Sequence, residues 1–389
     1  MRFGESTGRI EEIKMQFRDL GAQYHALKNE IDEEIRKVLE SSRFILGEPV
    51  QELEERLAEY AGRKHCIGVA NGTEALQLSL MALDVGPGDA VFTSDFTYFA
   101  SAGCAAIIGA APVLVDIDLE TFNMSPEALE EQIRKVLREG KLKPKAIIPV
   151  DLFGLPANHL EIQRIAEKYG LRIVEDAAQG FGGQIGDRMA CSFGELSATS
   201  FFPAKPLGCY GDGGAVFTDD DALDARLRSL RASGKSPTDK YDNREVGMNS
   251  RLDTLQAAIL LPKLRAFQEY EVTDINRVAD RYTQKLKDHV DTPLVPEGYR
   301  SSWAQYTILL ENREQRDRVS REMKAKGIPT MVYYPRGLHQ QEAFRNMKLS
   351  DSDYPNTLEA TQRVLSLPMH PYLTIEDQDL VIRELLEVL

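Results

Sequence analysis

Cysteine is scarce in this sequence, tryptophan is nearly absent and positive charge is in deficit: four Cys, one Trp, and 47 Lys plus Arg against 61 Asp plus Glu. Cys66, Cys104, Cys191 and Cys209 stand far apart, without the paired spacing of a zinc site or a redox motif. Buried free thiols in a reducing cytosol, and no metal centre, are the expectation. A net charge of −14 argues against nucleic acid or an anionic membrane as partner, since both require a basic face. No run of about 18 apolar residues occurs, and no charged-then-apolar opening, so neither a membrane span nor a secretion signal is expected. Repeats and low-complexity tracts are missing too. No Gly-x-Gly-x-x-Gly follows the first predicted strand, which removes the support for a nicotinamide oxidoreductase.

What the chain does have is the composition of an ordinary globular enzyme, 42% hydrophobic and 28% charged over 389 residues. That length favours two packed units over one core. We divide it into an N-terminal extension over 1–30, a large unit over 31–265 and a smaller C-terminal α+β unit over 266–389. The polar opening Met1–Gly8 is expected to fray, and Met15 can serve as a second start. Apolar periodicity predicts a first helix from Ile31 and a second over Val50–Tyr60. Strands over 65–70, 90–93, 112–117, 143–150 and 171–176 then alternate with helices. Near-continuous apolar strands separated by helices predict a mostly parallel sheet covered on both faces, with ligands beyond the carboxyl ends of the strands. Further on, 233–248 reads as a mobile loop, a long helix starts at Asn249, and Thr330–Tyr334 reads as a strand. Asp116-Ile-Asp118 reads as a strand end rather than as a metal motif, and His370 as a loop residue.

Four stretches carry chemistry. In Ser200-Phe-Phe-Pro-Ala-Lys205-Pro-Leu-Gly-Cys-Tyr-Gly-Asp-Gly-Gly214, apolar bulk surrounds one lysine and glycines allow close backbone approach. A lysine there has its ammonium form disfavoured and can attack an aldehyde, as in a Schiff base with pyridoxal phosphate (PLP); a surface lysine in a Gly-rich turn reads the same way. Asn71-Gly72-Thr73 joins a strand to a helix, which suits either an N-cap or a phosphate site. Among Phe96, Tyr98 and Phe99, one ring can stack on a flat cofactor while the other two pack in the core. Asp176-Ala-Ala-Gln179 ends a strand, where the carboxylate can cap a helix or hold a proton on a pyridine nitrogen.

With Asn71–Leu76, Asp176–Gln179, Ser200–Lys205, Gly211–Gly214 and Asn249–Asp253 in this order, the chain resembles the sugar-nucleotide aminotransferases of the DegT/StrS type. The similarity runs from about Met15 to the end. Ser200–Val216, Asn249–Leu264 and Ser366–Leu373 resemble the members that aminate UDP-2-acetamido-2-deoxy-3-oxo-glucuronic acid. The resemblance implies a fold-type I PLP transferase, homodimeric with shared sites, taking L-glutamate and a sugar nucleotide for polysaccharide precursor synthesis in the cytoplasm. It makes Lys205 the Schiff-base lysine, Asp176 the pyridinium partner and Gln179 the contact to the ring oxygen. Gly72, Thr73 and Ser200 would hold the phosphate, Tyr98 would stack on the ring, and Asn249 would reach the neighbouring subunit's cofactor. Arg251, Arg336 and His339 are candidates for the substrate. Tyr333 stands where many relatives carry histidine, and Arg336-Gly337 where a small or apolar residue and proline are common, which leaves a 4-oxo or another 3-oxo UDP- or dTDP-hexose open as the acceptor. A PLP-binding regulator without catalysis is the alternative from another class; no DNA-binding segment or basic surface supports it.

Overall fold

The computed structural model describes residues 15–236, 238–239 and 241–389, so the expected fraying of Met1–Gly8 lies outside the described residues. The first helix, α1, runs over Leu20–Ser41 and starts well before Ile31, because Asp19 caps it by accepting the Ala22 N–H at 2.8 Å. α2 (Glu48–Ala61) comes next and stops at Gly62 in the left-handed conformation. The alternating region comprises β1 (His65–Val69), α3 (Gly72–Ala82), β2 (Asp89–Ser94), α4 (Ala100–Ile107), β3 (Ala111–Val115), α5 (Pro126–Glu139), β4 (Lys143–Ile148), α6 (His159–Tyr169) and β5 (Arg172–Asp176). A short hairpin, β6 (Gln184–Ile185) and β7 (Arg188–Met189), interrupts it before β8 (Leu196–Ser200), β9 (Gly214–Thr218) and α7 (Asp221–Leu230).

Seven strands form one sheet in the order β1-β9-β8-β5-β4-β2-β3. β9 runs against both neighbours and the remaining pairs are parallel. Both faces of the sheet are covered, which is why its strands carry buried side chains on successive residues. α2 and α8 (Thr254–Ala266) share one core cluster with β9, while α3 and α7 share another on the opposite face.

α8 passes without a break through a π turn (Phe267–Glu271) into α9 (Val272–Leu286). Its first residue is Thr254, not Asn249. The segment before it is held extended: Ser250 N–H donates to Arg231 C=O at 2.9 Å, its hydroxyl accepts the Ala70 N–H at 3.2 Å, and Ile45 bridges Asp253. The C-terminal part adds β10 (Tyr299–Arg300), which joins the β6–β7 hairpin, then β11 (Tyr306–Leu309), α10 (Arg313–Ala325), α11 (Pro355–Arg363), β12 (Val364–Leu367) and α12 (Ile375–Val388). β11 and β12 pair antiparallel, and α9, α10 and α12 enclose them in a separate core that also takes in Met15. Thr330–Tyr334 is not a strand. Only Met331 bridges Ser366, and the chain then turns back towards the large sheet.

Candidate active site

Asp176 closes β5 next to Ala198 of β8, and the chain leaving β8 reaches Lys205 through Ser200. Asp176 is buried. Its Oδ2 accepts from Ser101 Oγ at 2.8 Å and its Oδ1 from the Ala178 N–H at 3.2 Å. Burial raises this carboxyl above its ordinary range, while the Ser101 and Ala178 hydrogen bonds and the charge of Lys205 act against the rise. Burial also lowers the Lys205 ammonium; Asp176 opposes that shift and Arg18 adds to it. The amine and the acid therefore sense each other's charge across adjacent parallel strands. Ser101 escaped the sequence reading; it lies buried in the first turn of α4, which follows the aromatic stretch after β2.

Gln179 is held at both ends, its Oε1 by the Phe153 N–H at 2.9 Å and its Nε2 by the Tyr334 hydroxyl at 3.2 Å. An amide nitrogen has two hydrogens, so one is left for a ring oxygen. Of the three aromatics after β2, Phe96 is fully buried and Phe99 stacks on Phe344 at 5.2 Å. Tyr98 is 57% exposed, which leaves its face open to a planar ligand.

The end of the site expected to take the phosphate is shaped by glycine. Asn71 caps α3 by accepting only the Glu74 N–H at 2.9 Å, so the Gly72 and Thr73 N–H groups remain at the positive end of the helix. A Cβ on Gly72 would lie 2.6 Å from Ser200 Cβ, and one on Gly214 would lie 2.6 Å from the Asn71 carbonyl carbon. Two missing side chains thus bring backbone donors and the Ser200 hydroxyl together in a cradle. The donor set fits PLP: a cradle for phosphate, a carboxylate for the ring nitrogen, an amide for the ring oxygen and an amine for the aldehyde.

Asn249 and Arg251 line a cleft of about 570 Å³ together with Asn71 and Asp212. Arg336 is exposed, two residues beyond Tyr334. His339 takes a different place from the one expected for a substrate ligand. It is buried, its N–H donates to Asp95 Oδ1 at 2.7 Å, and its ring bridges Asp95 Oδ2 at 2.5 Å and Asp351 Oδ1 at 3.0 Å. The two carboxylates hold its proton above the ordinary range, although burial works the other way. Gly337 allows this tie, because a Cβ there would lie 2.4 Å from Asp95 Oδ2.

Behind β5 lies a buried trio that sequence reasoning did not connect. Asp151 Oδ1 meets His159 Nε2 at 2.7 Å, and Glu175 accepts the Cys191 and Phe193 N–H groups at 2.7 and 2.8 Å. Burial pushes Asp151 up to about 7 and Glu175 up to about 8, and pushes His159 down to about 4. The three could also ligate a metal, with ligand atoms within 4.8 Å of one another. A proton retained on the carboxyl pair, with one carboxyl donating to the other, accounts for the arrangement as well.

Residues 25–386 match the DegT/DnrJ/EryC1/StrS aminotransferase family. The chain belongs to that family. Among curated relatives, the UDP-2-acetamido-2-deoxy-3-oxo-D-glucuronate aminotransferase of Pseudomonas aeruginosa is 47% identical, over 92% of this chain and 96% of its own. The UDP-N-acetyl-3-dehydro-alpha-D-glucosamine 3-aminotransferase of Acidithiobacillus ferrooxidans is 40% identical over 92% and 93%. A solved DegT/DnrJ/EryC1/StrS aminotransferase from Brucella abortus superposes with a TM-score of 0.93 at 49% identity, covering 96% of this chain and 99% of that one. A further neighbour, NtdA of Bacillus subtilis, 28% identical with a TM-score of 0.87 over 96% and 85% of the two chains, was solved with bound pyridoxamine phosphate. This DegT/StrS protein is thus a PLP-dependent sugar-nucleotide aminotransferase with the fold expected for that class. Among the described residues no helix is long and apolar enough to cross a membrane.

Proposed function

We propose that the protein moves an amino group from L-glutamate to the 3-oxo carbon of a UDP-sugar, with UDP-2-acetamido-2-deoxy-3-oxo-glucuronate as the first substrate to test. The observation that carries this reading is the near full-length identity of 47% to the Pseudomonas aeruginosa enzyme, together with the amine of Lys205 and the acid of Asp176 that feel each other's charge in this chain. PLP, when bound, supplies an electron sink that makes a C–H beside nitrogen acidic.

The protein's own residues do the rest. Lys205 Nζ takes the proton from the donor's α-carbon and, in the second half of the cycle, returns a proton to the sugar carbon, so it must alternate between neutral and charged forms. Asp176 keeps a proton on the ring nitrogen, and Ser101 fixes the carboxylate in place for it. The Gly72–Thr73 N–H groups and Ser200 take the phosphate, Gln179 the ring oxygen, and the Tyr98 face the ring itself. Asn249 reaches a second subunit's site, and Arg251 and Arg336 meet the substrate's anionic groups. The protein works as a homodimer in the cytoplasm on precursors of a polysaccharide.

The test offers the pure protein glutamate and a panel of 3-oxo and 4-oxo UDP- and dTDP-sugars, with 2-oxoglutarate release as readout. Turnover should be confined to 3-oxo UDP-sugars and lost in Lys205→Ala. Preferential turnover of a 4-oxo dTDP-sugar, or activity in Lys205→Ala, would overturn the reading.

A further inference from the structure

The chain just before α1 crosses the molecule behind the lysine loop. Met15 packs in the C-terminal core, the Phe17 carbonyl accepts the Met369 N–H at 2.9 Å, and the Phe17 ring meets Tyr333 edge-on at 6.2 Å. One residue later, Arg18 Nη2 donates to the carbonyl of Pro206 at 3.3 Å, the residue directly after Lys205. A guanidinium has five N–H donors, yet this is the one hydrogen bond that the Arg18 side chain makes among the described residues, and its Nη1 is shut off from solvent without a partner.

No carboxylate neutralises it by contact. Glu271, the acid whose charge acts on Arg18, is engaged by Gln23 Nε2 at 2.8 Å and the Tyr372 hydroxyl at 2.6 Å. Besides Lys205, the other ionisable groups that feel its charge are Lys263 of α8, which is buried with its Nζ over the Tyr210 ring, and His370, which burial pushes down to about 4, so that it is uncharged near neutral pH. Asp19, the next residue in the chain, is occupied in capping α1. Lys205 therefore feels one carboxylate, Asp176, and one cation, Arg18, whose guanidinium no carboxylate contacts. Once Asp176 faces a protonated ring nitrogen, the cation remains.

We propose that Arg18 is a positioning residue for Lys205, pinning the carbonyl that follows the lysine and keeping positive charge behind it so that the released amine stays free to take a proton. The proposal rests on the reading of Lys205 as the reacting amine. It is consistent with the direction in which Arg18 moves the lysine's titration, and an arginine is suited to the task because it does not itself lose its charge near neutral pH.

The test follows Lys205 itself. In the cofactor-free full-length chain, the rate at which Lys205 is acylated is measured against pH by peptide mass spectrometry; in the PLP-loaded enzyme, the visible absorbance is titrated. Arg18→Met should move both midpoints upward and leave about tenfold less neutral amine at pH 7, with Arg18→Lys restoring most of it. The acid limb of turnover should move with them while the KM for glutamate stays put. Midpoints in Arg18→Met that coincide with wild type overturn the proposal. Should Arg18→Met fail to fold, Arg18→Gln, which keeps an N–H donor for the Pro206 carbonyl but carries no charge, must still shift the midpoints upward; no shift overturns the proposal equally. A wild-type protein with no Lys205-dependent absorbance would instead sink the assignment of Lys205, a separate outcome.

Discussion

Replacing Gly72 with alanine sets two effects against each other, and their sizes decide the outcome. Alanine favours a helix over glycine by up to about 1 kcal/mol, less at a first-turn position, and Gly72 opens α3. The new Cβ, however, would stand 2.6 Å from Ser200 Cβ and 3.1 Å from its Oγ, so β8 or the start of α3 must give way. Overpacking of this kind costs about 1–3 kcal/mol. Net stability should therefore fall by no more than about 3 kcal/mol, and the protein should still fold. Cofactor binding has no such offset. Displacing the Ser200 hydroxyl from a phosphate removes a charge-assisted hydrogen bond of about 1.5–3 kcal/mol, which weakens PLP binding by about 10- to 150-fold. Absorbance titration of the cofactor-free protein with PLP gives the Kd, and calorimetry gives Tm. Gly86→Ala, where an added Cβ meets nothing within 4 Å, is the control and should change neither. A Gly72→Ala protein that binds PLP within about threefold of wild type would show that Gly72 and Ser200 do not form the phosphate cradle.

Ser101→Ala should leave Tm nearly unchanged and lower turnover about tenfold, since it removes a hydrogen bond of about 1.5–3 kcal/mol from the Asp176 carboxylate; unaltered turnover would rule out a role for that contact. Thermal stability should fall as pH rises above about 6.5. His339 is raised relative to the unfolded chain, so its contribution is complete below that pH and fades through its folded value. Glu175, up to about 8, acts in the same direction, whereas His159, down to about 4, exerts its opposite effect only below about 6.5. His339→Gln should flatten the slope of Tm against pH in that upper range, and an unchanged slope would place its source elsewhere.

The parallel core was legible because each of its strands is an apolar run ended by a turn, and Lys205 and Asp176 were found together because they leave adjacent strands at the same end. What sequence periodicity cannot supply is a contact whose partner is remote. Arg18 meets Pro206 across 188 residues, and nothing in the short stretch before α1 hints at it. His339 stood among the substrate candidates although a lone loop histidine is more often a surface or capping residue, and the acids that occupy it come from a different strand end and a different turn. Residues 249–253 read as helix by composition, but three contacts to other segments hold them extended. Thr330–Tyr334 has the β-branched and aromatic residues of a strand and only one bridging partner.

The π turn between α8 and α9 bears on how such a chain can change over time. A π turn is one residue wound into an α-helix, and each residue of helix rotates the remainder of the rod by about 100°. Deleting one residue within Phe267–Glu271 would return the turn to ordinary α-helix and leave the facing of α9 nearly as it is, whereas a deletion in the regular turns of α9 would swing the residues beyond it, Tyr282 among them, off the C-terminal core they now fill. Length variation among descendants of this protein should therefore be absorbed at this one turn of the rod sooner than anywhere else along it.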